Sequence, residues 1–278
     1  MNQPANQHQA GQHQAMHPQA AAIDIEICVN CDDLQHLATE VRTARAAGAK
    51  RLELCGAMQE QGLTPTVEAV RIARQAWGVM PGLVAMLRPR GGDFYYQAAE
   101  AALLQQQMAD LAAAGADAIV LGVLRQTSTG AADIDWPLLE VLIAQAKAFK
   151  LEVNFHRAFD VLPFSSRALA LQRLHQTGVA RVLTAGCAWH SGLGAADGVL
   201  QLQQELRLVA ADAAPKLVVG GGVSLANTAW LRSQLDAGQS APATYSFHCY
   251  SAVLTDGRID RQKVATLVAT AARPHTLS

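Results

Sequence analysis

His156, Arg157 and Asp160 stand together in LEVNFHRAFD, residues Leu151–Asp160. An imidazole, a guanidinium and a carboxylate in so short a span can move a proton, hold an anion or ligate a cation. The segment opens as a strand: Val153 and Phe155 share one parity, Glu152, Asn154 and His156 the other. Alternate side chains of a strand face opposite sides. With Val153 and Phe155 against covering helices, His156 enters the opposite compartment at the strand's carboxyl end.

Other ionisable residues fall at equivalent places. Glu26 and then Cys28 close one strand-like stretch, and Glu53 and then Cys55 close the next. Arg88 precedes a loop containing Arg90 and Asp93; Thr184 ends a later strand, and His248 and Cys249 end the last. Such a set suits general acid–base chemistry on an anionic substrate. Glu26, Glu53, Arg88, His156, Asp160 and His248 are the candidate catalytic residues. In this reading His156 or Glu53 moves the proton, and Asp160 or a neighbouring carboxylate orients the imidazole. Gly220, Gly221 and Gly222 run into a helix predicted from Ser224, where free amides and the helix dipole favour an anion. Arg88 would share the anion's charge with the Gly221 and Gly222 amides. The same charges could instead form a buried ion network, Glu26 and Glu53 with Arg51, Arg88 or Arg157. Buried ion networks often stabilise little against an apolar core.

The thiols form a second constellation. Cys28 and Cys31 make a C-x-x-C, Cys55 ends the next strand, and Cys249 ends the last. Thiolates suit Cu(I) and Zn(II), although buried cysteines are often inert small hydrophobes. Cys187 receives no role.

Strand and helix signals alternate through the chain to position these groups. Strands are predicted at 23–29, 50–54, 82–88, 117–121, 151–156, 181–183, 216–219 and 244–248. Helices are predicted at 33–47, 66–78, 97–114, 135–147, 164–176, 196–210, 224–235 and 261–272. Strand–helix alternation implies a parallel sheet, and eight units imply closure into an α/β (β/α)8 barrel, whose sites lie at the carboxyl ends of its strands.

The totals agree. The chain has 278 residues, half of them hydrophobic, and a formal net charge of −1; a barrel takes about 250 residues. No apolar run approaches the roughly 18 residues of a membrane helix, and near-neutral charge with few aromatics argues against a nucleic-acid surface. Five cysteines do not make a disulfide scaffold, so a reducing cytoplasm is expected. Residues 1–22, rich in Gln, His and Ala, are read as a disordered tail, and 23–278 as one domain. His8, His13 and His17 could bind a soft or borderline metal weakly, but nothing there fixes ligand geometry, so a solvated tail is expected.

At these residues the chain resembles the CutC family, named for copper homeostasis. The matching segments are Glu26–Val29, Arg51–Cys55, RPRGGDFYY (Arg88–Tyr96), HRAFD (His156–Asp160), RVLTAG (Arg181–Gly186), GGGV (Gly220–Val223) and Phe247-His248. The resemblance implies a cytoplasmic TIM barrel, oligomeric and expected as a homodimer, that binds copper through Cys28 and Cys55. Cys31 or Cys249 could assist. The sequence departs from the family at Gln61, where Gly is usual, at Ala185, where Ser is usual, and at Cys31, where a small polar residue is usual; the loop Arg125–Ala132 is lengthened. Two functions follow: a copper-binding homeostasis protein, or a barrel enzyme acting on a small phosphorylated or carboxylated metabolite. Whether the chain is an enzyme stays open. The expected partners are a copper ion or a small anion, and a second copy of the chain, with no nucleic acid and no membrane.

Overall fold

Eight parallel strands close into a ring in the computed structural model, which describes residues 23–209, 215–237 and 245–272. The strands are β1 (Ile25–Asn30), β2 (Arg51–Cys55), β3 (Leu83–Met86), β4 (Ala118–Leu121), β5 (Glu152–Phe155), β6 (Arg181–Thr184), β7 (Lys216–Val219) and β8 (Tyr245–Cys249). Each pairs with its neighbours in chain order, and β8 closes on β1. Among the described residues the eight α-helices are α1 (Leu34–Ala46), α2 (Val67–Trp77), α3 (Ala98–Ala114), α4 (Trp136–Ala148), α5 (Phe164–Thr177), α6 (Val199–Val209), α7 (Thr228–Asp236) and α8 (Arg261–Ala272). This is the (β/α)8 architecture expected from the alternation. The proposed tail, with its histidines, lies outside the described residues.

Local chemistry sets the helix ends. The Asp33, Thr66 and Asp135 side chains accept the amides of His36, Ala69 and Leu138, satisfying donors that a first turn leaves open. Two predicted helix starts move. α7 begins a turn later than Ser224, because Asn227 Oδ1 accepts the Ser224 amide at 2.8 Å and holds that stretch as a turn. α6 begins at Val199, after a turn in which Asp197 Oδ2 accepts the Gly194 amide. The lengthened loop forms a short hairpin, Leu124–Gln126 with Ala132–Ile134.

Strand parity divides the buried side chains. Ile25, Ile27, Leu52, Leu54, Val153 and Phe155 pack outward against the helices in the main core. Inside the barrel, Cys28, Cys55, Val84, Met86, Ala118 and Val120 form a small apolar cluster of their own. At the amino-terminal end of the barrel, Arg51 donates to Glu26 Oε2 at 3.1 Å and to Glu152 Oε1 at 2.9 Å. The interior is therefore closed by charge on one side and remains open at the carboxyl ends of the strands.

Candidate functional site

A cavity of about 860 Å³ opens at that end, and Cys28, Glu53, Cys55, Arg88, His156 and His248 all line it. Register explains the convergence at its floor. Glu26 on β1 lies opposite His248 on β8, and Cys28 on β1 lies opposite Glu53 on β2. His248 Nδ1 stands 3.0 Å from Glu26 Oε1 and 3.2 Å from Glu53 Oε2. The Cys55 thiol donates to Glu53 Oε1 at 3.3 Å.

The floor residues have displaced proton affinities. Burial alone would raise Glu26, but the His248 bond and charge, joined by Arg51, hold it at about 2. Burial raises Glu53 to about 8, with the negative charges of Cys28 and Glu26 acting in the same direction against His248. Cys28 is lowered to about 6, chiefly by the neighbouring Cys55 thiol and then by His248, with burial opposing. Cys55 is raised well above a free thiol by its pairing with Cys28 and by its burial. Burial disfavours the charged form of His248, yet Glu53, Cys28 and Glu26 together raise it well above 6.5. These shifts favour a Glu26 carboxylate, a His248 imidazolium, a Cys28 thiolate and a protonated Glu53.

This donor set can be tested against metals. Two adjacent sulfurs beside an imidazole fit Cu(I), a soft ion. Glu26, Glu53 and His248 also bring one ligand atom each within 4.8 Å of the others, an arrangement that fits a harder cation. The proximity of these three already has a cause in the His248 bonds to both carboxylates.

The walls differ from expectation. His156 is buried, and its Nδ1 accepts the Ala158 amide at 3.0 Å. Burial, followed by the charge of Arg88, lowers its pKa to about 3. The ring is therefore neutral with its proton on Nε2, and Nε2 has no partner among the described residues. At neutral pH His156 offers a donor to the cavity, not the base expected from sequence. Asp160 does not orient it. Asp160 is fully buried away from the cavity, accepting from Arg157 Nε at 2.7 Å, Thr184 Oγ1 at 2.6 Å and the Ala185 amide at 3.1 Å.

Arg88 lines the cavity, but its terminal nitrogens donate to the Glu60, Gly62 and Gly92 carbonyls, leaving only Nε unpaired. It ties two loops together, so it does not supply the anion clamp expected of it. Neither Arg88 nor Arg157 joins the Glu26–Glu53 network; the only guanidinium paired with Glu26 among the described residues is that of Arg51. Gly220 is also reassigned. Its amide donates to the Thr184 carbonyl, and a Cβ there would stand 2.7 Å from Leu183 Cδ1. It provides space beside His248, while Gly221 and Gly222 do line the cavity. Cys31 and Cys249 pack in the outer core, away from the floor, because each falls on the opposite parity from the inward residues. Burial raises both thiols, Cys249 to about 11.

Two residues carry more of the site than the sequence indicated. Arg157 and Trp189 line the cavity mouth, with the guanidinium 4.9 Å from the centre of the indole. Arg157 was visible as the neighbour of His156, but its direction depends on the 3-10 turn Arg157–Val161, which has no signature in parity.

Comparison with known proteins places the chain. The CutC family profile matches residues 23–238. A CutC protein of Salmonella enteritidis is 38% identical over 198 residues, covering 70% of this chain and 71% of its own. The structure of the Streptococcus agalactiae CutC, named for copper homeostasis, superposes with a TM-score of 0.66 at 26% identity, over 81% of this chain and 98% of that one. The phosphoribosylanthranilate isomerase of Pyrococcus furiosus matches with a TM-score of 0.53 at 14% identity, over 90% of this chain and 98% of its own, and shares the fold alone. With the profile spanning most of the barrel and a relative of this similarity, the chain belongs to the CutC family.

Proposed function

We propose that the chain binds Cu(I) at the cavity floor through Cys28 and Cys55, with His248 beside them, and acts in copper homeostasis in the cytoplasm. The observation that carries this reading is the thiol pair. Cys28 and Cys55 stand on adjacent strands, both line an open cavity, and the neighbouring Cys55 thiol and His248 favour the Cys28 thiolate. A thiolate is the ligand form of cysteine, so part of the deprotonation that metal binding requires is already done. The name of the Streptococcus agalactiae relative supports the same role. All five cysteines are free, which suits a reducing compartment. When bound, Cu(I) would be cargo held by two sulfurs. The test is titration of reduced protein with Cu(I) against a competing chelator. A Cys28→Ser, Cys55→Ser double variant should bind at least about tenfold more weakly, a loss of about 1.4 kcal/mol. Equal affinity would remove the site. A chain without residues 1–22 should bind as the full chain does.

A second reading has its own support. Glu26 at about 2 and Glu53 at about 8 are two carboxyls pushed apart around one imidazolium. Paired titratable groups with opposed shifts commonly divide into acid and base roles. In this reading Glu53 delivers or removes a proton on a small anionic molecule, and Glu26 holds the charge of His248. Glu53→Gln would then lower turnover by about 10²–10⁴-fold, and unchanged turnover would exclude the role.

A further inference from the structure

The mouth of the cavity is organised around a cation whose binding surface is free. Arg157 uses Nε for Asp160, and among the described residues neither of its terminal nitrogens has a hydrogen-bond partner. Asp160 is itself fixed by Thr184, by the Ala185 amide and by Arg167 Nη1 at 3.6 Å. The guanidinium is thus clamped from behind and stacked on Trp189, with its outer edge turned to the cavity. Gly221 allows this approach. A Cβ there would meet Arg157 Nη1 at 3.0 Å, and both Gly221 and Gly222 have left-handed backbones, with φ of 83° and 82°. Their amides are unpaired among the described residues. The Asp197 carboxylate, which also lines the cavity, accepts the Gly194 amide through Oδ2.

Behind this mouth lies the buried, unpartnered His156 Nε2–H. Phe94 links the two parts of the wall, 4.9 Å from the His156 ring and 5.6 Å from that of Trp189. A buried donor without an acceptor loses the hydrogen bonds it had in water, and a ligand oxygen would restore one. The terminal nitrogens of Arg157 and two backbone amides offer more donors than the two oxygens of a carboxylate can use well. A phosphate group presents three terminal oxygens, and guanidinium–phosphate pairing is commonly bidentate. The loop after the seventh strand is also where barrels recurrently hold phosphate.

We propose that the mouth binds the phosphate of a small phosphate monoester through Arg157 and the Gly221 and Gly222 amides, with His156 Nε2 donating to another oxygen of the same molecule. This names a substrate class for the acid–base reading and rests on that reading's small-molecule cavity; it is independent of copper.

Calorimetric titration of the full chain with inorganic phosphate and with glycerol 3-phosphate, with copper chelated, tests the proposal. Both should bind, glycerol 3-phosphate more tightly. Arg157→Met should weaken both at least about tenfold, whereas Arg42→Met, on the exposed face of α1, should change neither. His156→Phe should remove the advantage of glycerol 3-phosphate over phosphate. Phenylglyoxal labelling of Arg157 in the wild-type chain, mapped by mass spectrometry, keeps the test independent of variant folding: phosphate should slow it. No binding at millimolar ligand, full affinity in a folded Arg157→Met, or labelling indifferent to phosphate would overturn the proposal. Binding with no turnover of any ester keeps it and removes the acid–base reading. Turnover of unphosphorylated compounds without phosphate binding does the reverse.

Discussion

Cys28 is the residue at which the floor's electrostatics can be read directly. Its thiolate is favoured by the neighbouring Cys55 thiol and by His248, so alkylation by iodoacetamide should rise with a midpoint at about 6. In Cys55→Ser the midpoint should shift, since the neighbour with the largest influence is altered; in His248→Gln it should move up. A midpoint at the ordinary thiol value in wild type would contradict the ionised floor. Cys28 and Cys55 were legible as an inward pair because parity and strand adjacency determine both. The shifts were not legible, because they depend on distances such as the 3.0 Å between His248 and Glu26. His156 illustrates the limit of sequence reading. Its inward direction followed from alternation, but its role turned on one backbone amide, that of Ala158, which fixes the tautomer.

At the scale of elements, the turn after β5 holds the mouth together. Asp160 joins Arg157 from its own turn, Arg167 from α5 and Thr184 from β6. Removing one partner of a buried ion pair leaves charge uncompensated and costs about 3–5 kcal/mol. Asp160→Ala should therefore lower the urea unfolding free energy by that order, and a loss below about 0.5 kcal/mol, the scale of an ordinary surface substitution, would show that the pair is not structural. The alternation of strands and helices was readable throughout, since hydrophobic parity and helix caps are local signals. Element boundaries shifted where side chains captured loop amides, as Asn227 does for Ser224 and Asp197 for Gly194. The role of HRAFD was only half readable: His156 belongs to the strand pattern, whereas Arg157 and Asp160 lie in a turn whose path depends on α5 and β6.

At the scale of the whole molecule, the buried groups couple stability to pH with opposite signs. Glu53 binds its proton more tightly folded, at about 8 against an ordinary 4.5, so it loses folding free energy as pH rises through that window. Glu53→Gln should gain stability relative to wild type between pH 4.5 and 8, measured by urea midpoints, and a constant difference would contradict the buried acid. His156 works the other way. It is lowered to about 3 from 6.5, so its contribution is complete above 6.5 and is lost as pH falls towards 3. His156→Gln should flatten that acid limb, and an unchanged limb would place the loss elsewhere. Among the described residues no helix is long and apolar enough to cross a membrane. The barrel instead directs its polar interior to a single open end, where thiols, carboxyls and a free guanidinium share one cavity. The measurement closest to the central claim is copper-edge X-ray absorption on the reduced full chain loaded with one equivalent of Cu(I). Binding at Cys28 and Cys55 predicts two sulfur scatterers in the copper shell, and one in Cys55→Ser. A shell of nitrogen and oxygen alone, unchanged in the variant, would contradict it.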